Sequence, residues 1–269
     1  MKELNLLLDK YRKQNISLSL EDEREMLYQY VYYTNKLEGN KLTLAQTSQL
    51  LSSDTISGNN IRASDILEQK GMYKALVYMI RAVRNKEMLS TSLLTELNWL
   101  AIGPLWKSDD SYLDSKQKGQ TMNGFKVSQN VIQIRKGAKL LEQIEPLSNP
   151  ENVQSNMEDL VQSVFKSKAN IIDKVSFLAQ ELWLHQPFMD GNKRTGRLAI
   201  NFLTMKEGFP LFIFEDRNKN YNSVLIEQFR DNKPGLVSKY IEVSLSNRMN
   251  QSLNLNKGNT KNRGYRMLL

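Results

Sequence analysis

Apolar residues recur at the three-and-four spacing of a helix along most of this chain, and one short stretch alone breaks to the spacing of two that a strand requires. The clearest stripe is Ile171, Val175, Leu178, Ala179 and Leu182, which runs into His185. A chain patterned this way is mainly α, built from helices that bury one face each. Ser19 opens a helix with Asp22 as its capping-box partner, and Met26, Leu27, Tyr30, Val31 and Leu37 line the inner face. Thr43 caps a short helix through Leu51, and Ser64 caps a longer one with Leu67, Tyr73, Leu76, Val77, Ile80 and Val83 inward. A helix after Thr91 is expected to stop at Gly103-Pro104. Asn149-Pro150 marks the start of another, with Met157, Leu160, Val161, Val164 and Phe165 inward. Beyond residue 191 a helix buried through Leu198, Phe202 and Leu203 ends at Gly208, and two more follow near Tyr221–Phe229 and Leu236–Leu245. The last fifteen or so residues are rich in Asn, Lys and Gly and read as a loose tail.

The exception to the helical period is Phe125-Lys126-Val127 and Val131-Ile132-Gln133-Ile134 around Ser128-Gln129-Asn130, which reads as a hairpin with a three-residue turn. A two-stranded ribbon is marginal by itself in water. In a helical protein it is either a decorative loop or a surface flap that docks an extended peptide by strand addition.

The 269 residues suit one large domain or a core with an appendage, and they show no internal repeat and no clear linker. With no cysteine and a single histidine, the chain has no disulfide framework and little to hold zinc. The 37 Lys and Arg against 29 Asp and Glu leave a net charge of +8. That excess either attracts an anionic partner or simply keeps the chain in solution. No apolar run reaches the roughly 18 residues of a membrane span, and Met1-Lys2-Glu3-Leu4-Asn5 has no signal-peptide pattern, so a cytoplasmic protein is expected.

Chemistry concentrates in His185-Gln186-Pro187-Phe188-Met189-Asp190-Gly191-Asn192-Lys193-Arg194-Thr195-Gly196-Arg197. Three cations stand where a helix begins, although its N-terminus already carries about half a positive charge. That placement makes sense if an anion, usually phosphate, sits among them. Asp190 is a hard oxygen ligand of the kind magnesium takes beside phosphate oxygens. Gly191 and Asn192 allow backbone N–H groups to approach an anion closely. Arg194 and Arg197, three apart on one helical face, can grip phosphates together, and Lys193 adds a point charge. His185 is either a general base near neutral pH or a partner of the helix dipole. Phe188 is the expected core anchor of the loop.

From Phe188 to Arg197 this segment resembles the signature of the Fic (Fido) family, His-x-Phe-x-Asp/Glu-Gly-Asn-Gly-Arg-x-x-Arg, at Phe188, Asp190, Gly191, Asn192, Arg194 and Arg197. The resemblance implies a helical Fic core with a β-hairpin flap, and an enzyme that moves AMP from ATP to a protein hydroxyl with magnesium. It implies Asp190 at the metal, Gly191 and Asn192 on phosphate, and Arg194 and Arg197 on the outer phosphates. It also implies the hairpin at Phe125–Ile134 as the flap that positions the target. Lys193 stands where the family usually has Gly and resembles the Doc branch, which phosphorylates its target, whereas Arg197 belongs to the adenylylating pattern. The family places His two residues before Phe, and here that residue is Gln186, with His185 one earlier. Either the loop slips so that His185 still reaches the site, or the base is missing. The position of the chain's one histidine beside the expected slot favours the slip.

Thr34-Asn35-Lys36-Leu37-Glu38-Gly39 resembles the family's inhibitory motif, Ser/Thr-x-x-x-Glu-Gly/Asn, whose Glu pairs with the second arginine and blocks the γ-phosphate. The implied pair is Glu38 with Arg197, and the implied inhibitory residues are Thr34, Glu38 and Gly39. The resemblance spans Thr34 to Arg197 and names nothing beyond about residue 210. It suggests an N-terminal helical region with the inhibitory helix (1–90), a Fic core (91–210) and C-terminal helices with a tail (211–269). The function expected is an autoinhibited protein adenylyltransferase that takes ATP and magnesium, with His185 as base and a target Ser, Thr or Tyr docked at the 125–134 flap. Two alternatives stand beside it: an ATP-binding module impaired by Gln186, and a basic nucleic-acid-binding regulator. No membrane partner is expected, and a homodimer stays open.

Overall fold

A computed structural model describes residues 2–14, 19–106, 118–136, 138–215 and 220–258, which form ten helices and one two-stranded sheet. In chain order the elements are α1 (Lys2–Lys13), α2 (Leu20–Lys36), α3 (Leu44–Ser53), α4 (Ala63–Arg84), α5 (Thr91–Trp106), β1 (Ile132–Lys136), β2 (Lys139–Ile144), α6 (Val153–Lys166), α7 (Ile171–His185), α8 (Asn192–Lys206), α9 (Tyr221–Arg230) and α10 (Leu236–Gly258). The centre of the molecule is α8. Leu198, Ala199, Ile200 and Phe202 are fully buried on it, together with Thr195, Arg197, Asn201 and Thr204. Each large apolar side chain removed from water there contributes about 1.5–3 kcal/mol. Helices α2, α4, α5 and α7 pack around α8, and α10 packs on α1, α7 and α9. One hydrophobic cluster runs through all of them, from Leu4 to Leu253. Among the described residues no helix is long and apolar enough to cross a membrane.

The capping box expected at Ser19 forms, and the cap expected at Thr43 is also part of one: Ser19 Oγ accepts from Asp22 N at 3.0 Å, and Thr43 Oγ1 accepts from Gln46 N at 3.2 Å. Several boundaries differ from the sequence expectation. Ser64 does not cap α4; Arg62 stands at the cap, and its guanidinium pairs with Asp65 at 2.6 Å. Pro104 does not end α5, which continues to Trp106. Leu105 and Trp106 are buried, and the Trp106 ring stands edge-on to Trp99 with centroids 4.9 Å apart. That packing outweighs the hydrogen bond lost at proline. Asn149 makes a turn ahead of α6, accepting from Glu151 N and Asn152 N at 3.0 Å, and Asn152 is the cap. Phe165 is 41% exposed rather than inward. Helix α10 continues past Leu245 because Met249 and Leu253 extend the buried stripe of Val237, Ile241 and Leu245. The expected loose tail lies outside the described residues from 259 onward. Helix α1 has Leu4, Leu8 and Tyr11 buried, a stripe present in the sequence and not anticipated from it.

The hairpin is displaced from its expected place. Strands β1 and β2 pair antiparallel, Ile132 opposite Ile144 and Gln133 opposite Gln143, with a bulge between Ile134 and Arg135. Of the segment 125–127 expected as the first strand, Lys126 alone makes a bridge, to Gln120. Its backbone goes elsewhere: Lys126 N donates to Pro187 O at 2.9 Å, and the Phe125 ring lies 5.5 Å from that of Phe188. Lys126 itself is buried, with Nζ donating to Ser148 O at 2.6 Å and Asn130 Oδ1 at 2.8 Å. Burial lowers its pKa to about 8, a shift that Glu145 partly opposes. The hairpin therefore spans 132–144, and residues 118–130 pack on the loop between α7 and α8.

Candidate active site

The loop from Gln186 to Gly191 is fixed by amide side chains. Asn192, the first residue of α8, accepts from Phe188 N at 2.9 Å and donates to Phe188 O at 2.7 Å. Asn130 also donates to Phe188 O, at 2.8 Å. Asn98 of α5 donates to Asp190 O at 2.9 Å and Thr195 Oγ1 at 3.2 Å, and accepts from Gln120 Nε2 at 3.1 Å. Gln120 in turn accepts from Met189 N at 2.9 Å. Phe188 is fully buried, as expected of the anchor. Gly191 sits at φ 77°, and a Cβ there would lie 2.6 Å from Ile102 Cγ1 and 2.9 Å from Asn98 Nδ2. Only glycine meets both demands. Asn98, Gln120 and Asn130 were missed from sequence, and Asn98 alone had a signal, as a polar residue inside the apolar stripe of Leu94, Leu97 and Ala101.

The start of α8 has no side-chain cap and no acidic residue in its first turn. Its leading N–H groups and its cations thus make a strongly positive locus. Two carboxylates from distant parts of the chain answer it. Glu38, in the turn just after α2, places Oε1 2.9 Å from Arg197 Nη2 and Oε2 2.9 Å from Lys193 Nζ. Arg197 is fully buried and also donates to Thr34 O at 3.0 Å and Asn222 Oδ1 at 3.1 Å, with the Tyr221 ring centre 5.9 Å from Cζ. Asn222 donates back to Glu38 Oε1 at 3.2 Å and to Leu37 O at 3.0 Å. Gly39, at φ 95°, turns the chain away behind Glu38. Arg194, almost fully buried, lies 3.0 Å from Glu68 Oε1 of α4 and 3.4 Å from Asp190 Oδ1. Neither Glu68 nor the Lys193–Glu38 contact was anticipated from sequence, because the matching acid lies more than 120 residues away in each case.

Burial by itself would raise the pKa of Glu38, yet Lys193, Arg197 and Arg194 together hold it at about 2. The sign follows from that depression. The clamp contributes its full stability above the ordinary value of 4.5 and loses it as pH falls toward 2. Nucleotide affinity is therefore expected to show no rise traceable to Glu38 between pH 8 and pH 5, measured by calorimetric titration. Burial pushes the hydroxyls of Tyr30 and Tyr221 beside Arg197 well above their usual range.

The histidine and its neighbour go to different places. Gln186 follows α7 in the left-handed conformation at φ 44°, accepts from Asn192 Nδ2 at 2.8 Å and donates to Trp183 O at 2.7 Å. His185, the last residue of α7, has Nδ1 2.6 Å from Ser148 Oγ and Nε2 3.4 Å from Glu181 Oε2. The residue that meets Asn192 is thus Gln186, while His185 turns to Ser148 and Glu181. Helix α7 stays in register to its end, and Ser148, held by Asn156 at 2.9 Å, occupies the imidazole. Asp190 accepts from Gly191 N at 2.6 Å, and its side chain is 27% exposed. Among the described residues no group of three or more His, Asp or Glu is gathered to cage a metal. Asp190 is a partly open oxygen donor at the positive start of α8, of the kind magnesium takes while keeping several of its waters.

Comparison with known proteins matches residues 121–204 to the Fic/DOC family. Protein adenylyltransferase fic-1 of Caenorhabditis elegans is 30% identical over 232 residues, covering 82% of this chain and 41% of that protein. Protein adenylyltransferase Fic of Nematostella vectensis is 24% identical, covering 74% of this chain and 42% of its own length. The chain thus spans about two fifths of the length of these curated relatives. Among solved structures, a Fic domain containing signaling protein from Bacteroides thetaiotaomicron aligns with a TM-score of 0.77 at 23% identity, covering 97% of this chain and 99% of that one. Fic-1 from Caenorhabditis elegans, residues 134–508, aligns at 0.74 and 20% identity, covering 96% and 72%.

Proposed function

Residues 121–204 are a Fic/DOC domain, and from that premise we propose that the chain transfers AMP from ATP to a hydroxyl side chain of a protein target, restrained by its own Glu38. The reading rests chiefly on one observation: the Glu38 carboxylate, 2.9 Å from both Lys193 Nζ and Arg197 Nη2, takes the position that suits a phosphate oxygen. With Glu38 withdrawn, Lys193, Arg197 and the open start of α8 receive the triphosphate. The target oxygen attacks the α-phosphorus and forms the new ester bond. The bond from the α-phosphorus to the bridging oxygen breaks, and pyrophosphate leaves into the arginines. His185 takes the hydroxyl proton once its ring has turned away from Ser148 and Glu181. Asp190 would hold magnesium, which neutralises phosphate charge when bound. Positioning and charge supply most of the acceleration in such transfers. The hairpin 132–144, with Leu140 and Leu141 exposed on β2, is the surface that presents the target segment.

ATP labelled at either the α- or the γ-phosphate, incubated with the Glu38→Gly chain, tests this reading. Label is expected on protein from the α-position alone. Transfer from the γ-position would instead assign phosphorylation, in keeping with Lys193. The contact of Gln186 with Asn192 favours a second reading, an ATP-binding module with impaired chemistry. That module would be stabilised by ATP against heat and would transfer no label from either position. Arg197→Ala in the Glu38→Gly chain is expected to weaken ATP binding by about tenfold or more. Removing both partners avoids leaving a buried charge unpaired, so a folded protein is available for that titration.

A further inference from the structure

Arg194 is closed off separately from Arg197. Its Nη1 lies 3.0 Å from Glu68 Oε1, and its side chain is 4% exposed while that of Glu68 is 17% exposed. Glu68 stands on α4, a 22-residue helix, and not on the segment that carries Glu38. Its carboxylate is held from behind as well: Asn40 Nδ2 donates to Oε2 at 2.8 Å and to Asp65 O at 3.0 Å. Asn40 Oδ1 accepts from Gln69 Nε2 at 3.1 Å, and Asn35 Nδ2 donates to Gln69 Oε1 and Glu68 O, each at 3.1 Å. Asn35 and Asn40 flank Glu38 in sequence, yet none of these bonds passes through it. Arg194 therefore faces two carboxylates within 3.4 Å, Glu68 and Asp190, which offset its one positive charge.

We propose that Glu68 is a second inhibitory carboxylate, which holds Arg194 away from phosphate as Glu38 holds Arg197 and Lys193. The inference rests on the reading of the α8 start as a triphosphate cradle. A phosphate oxygen approaching the Nη1 edge of Arg194 competes there with Glu68 Oε1, at 3.0 Å, while Asn40 holds the other carboxylate oxygen in place. Removal of Glu38 leaves that network intact. The Glu38→Gly chain therefore opens two cations of three, and the third opens only when Glu68 gives way. Asn40 joins the two brakes physically, since it follows Gly39 and bonds Glu68, so a movement of the inhibitory turn that also draws Asn40 away releases both.

Calorimetric titration of inorganic tripolyphosphate into the full chain tests this, comparing wild type, Glu38→Gly, and Glu38→Gly combined with Glu68→Gln or with Glu68→Ala. Gln keeps an acceptor for Arg194 and the shape of the network, and a melting curve for each variant checks that it is folded. Both combined variants are expected to bind tripolyphosphate about tenfold more tightly than Glu38→Gly alone. Binding that is unchanged or weaker in both would make Glu68 a residue that orients Arg194, and would overturn the proposal while leaving Glu38 as the brake. Wild type and Glu38→Gly binding tripolyphosphate equally would remove the brake at Glu38 instead, a different failure visible in the same titrations.

Discussion

A Glu38→Gly chain is expected to melt well below wild type without nucleotide, to regain much of that loss when ATP is added, and to label protein with AMP far faster. The substitution removes the counter-charge of Arg197, which has no exposed surface and keeps only Thr34 O and Asn222 Oδ1 as hydrogen-bond partners of its terminal nitrogens. Breaking one side of a buried pair costs about 3–5 kcal/mol. Glu38 is 15% exposed, which favours the lower end, and in a protein of this size about 3 kcal/mol lowers the melting temperature by roughly 6–12 °C. ATP at a hundred times its dissociation constant returns about 2.7 kcal/mol. A brake and an ordinary structural ion pair therefore differ in sign: a structural pair loses stability on mutation and gains nothing from ATP. Glu38→Gln, which removes the charge and keeps the backbone restraint, separates the charge from the flexibility of a Gly-Gly step. A scanning melt with and without ATP, alongside label incorporation, reads all three. Loss of stability with neither recovery nor faster labelling would leave Glu38 as scaffold.

The elements that the sequence made legible are those whose cause is local. Caps at Ser19 and Thr43 and the stripe from Ile171 to Leu182 depend on residues three or four apart, and they form as expected. The pairing of Glu38 with Arg197 spans 159 residues and was reached through a motif rather than a period. Glu68 on Arg194 had no motif, and nothing in local spacing distinguishes that glutamate from an ordinary solvated acid on a helix face. The hairpin forms, with Ile132–Ile134 in a strand as expected, but the segment expected as its first strand does not join it, because Lys126 turns its side chain inward to carbonyl groups instead of pairing in a sheet. Long-range satisfaction of one buried ammonium overrode local strand propensity. The surroundings of His185 were not legible for a related reason: Asn192 finds an acceptor in Gln186, and Ser148, 37 residues away, finds the imidazole.

Gln186→His in the Glu38→Gly chain is expected to raise AMP transfer by about 10- to 100-fold, with ATP affinity unchanged. In the proposed reaction, His185 would accept the target's proton only after it leaves Ser148 Oγ and Glu181 Oε2. Two such contacts are worth about 1–3 kcal/mol together, so the competent rotamer is populated at roughly 1–10%, and the rate carries that fraction directly. An imidazole at position 186 needs no such departure. The left-handed backbone there, at φ 44°, tolerates histidine. The gain belongs in kcat, because the substitution touches neither Lys193 nor the two arginines. His185→Ala completes the comparison. Alone it is expected to depress transfer further, and Gln186→His is expected to rescue it fully. A rate indifferent to His185→Ala would show that the existing histidine takes no proton, and transfer would then run on positioning and phosphate charge until a base is supplied at 186.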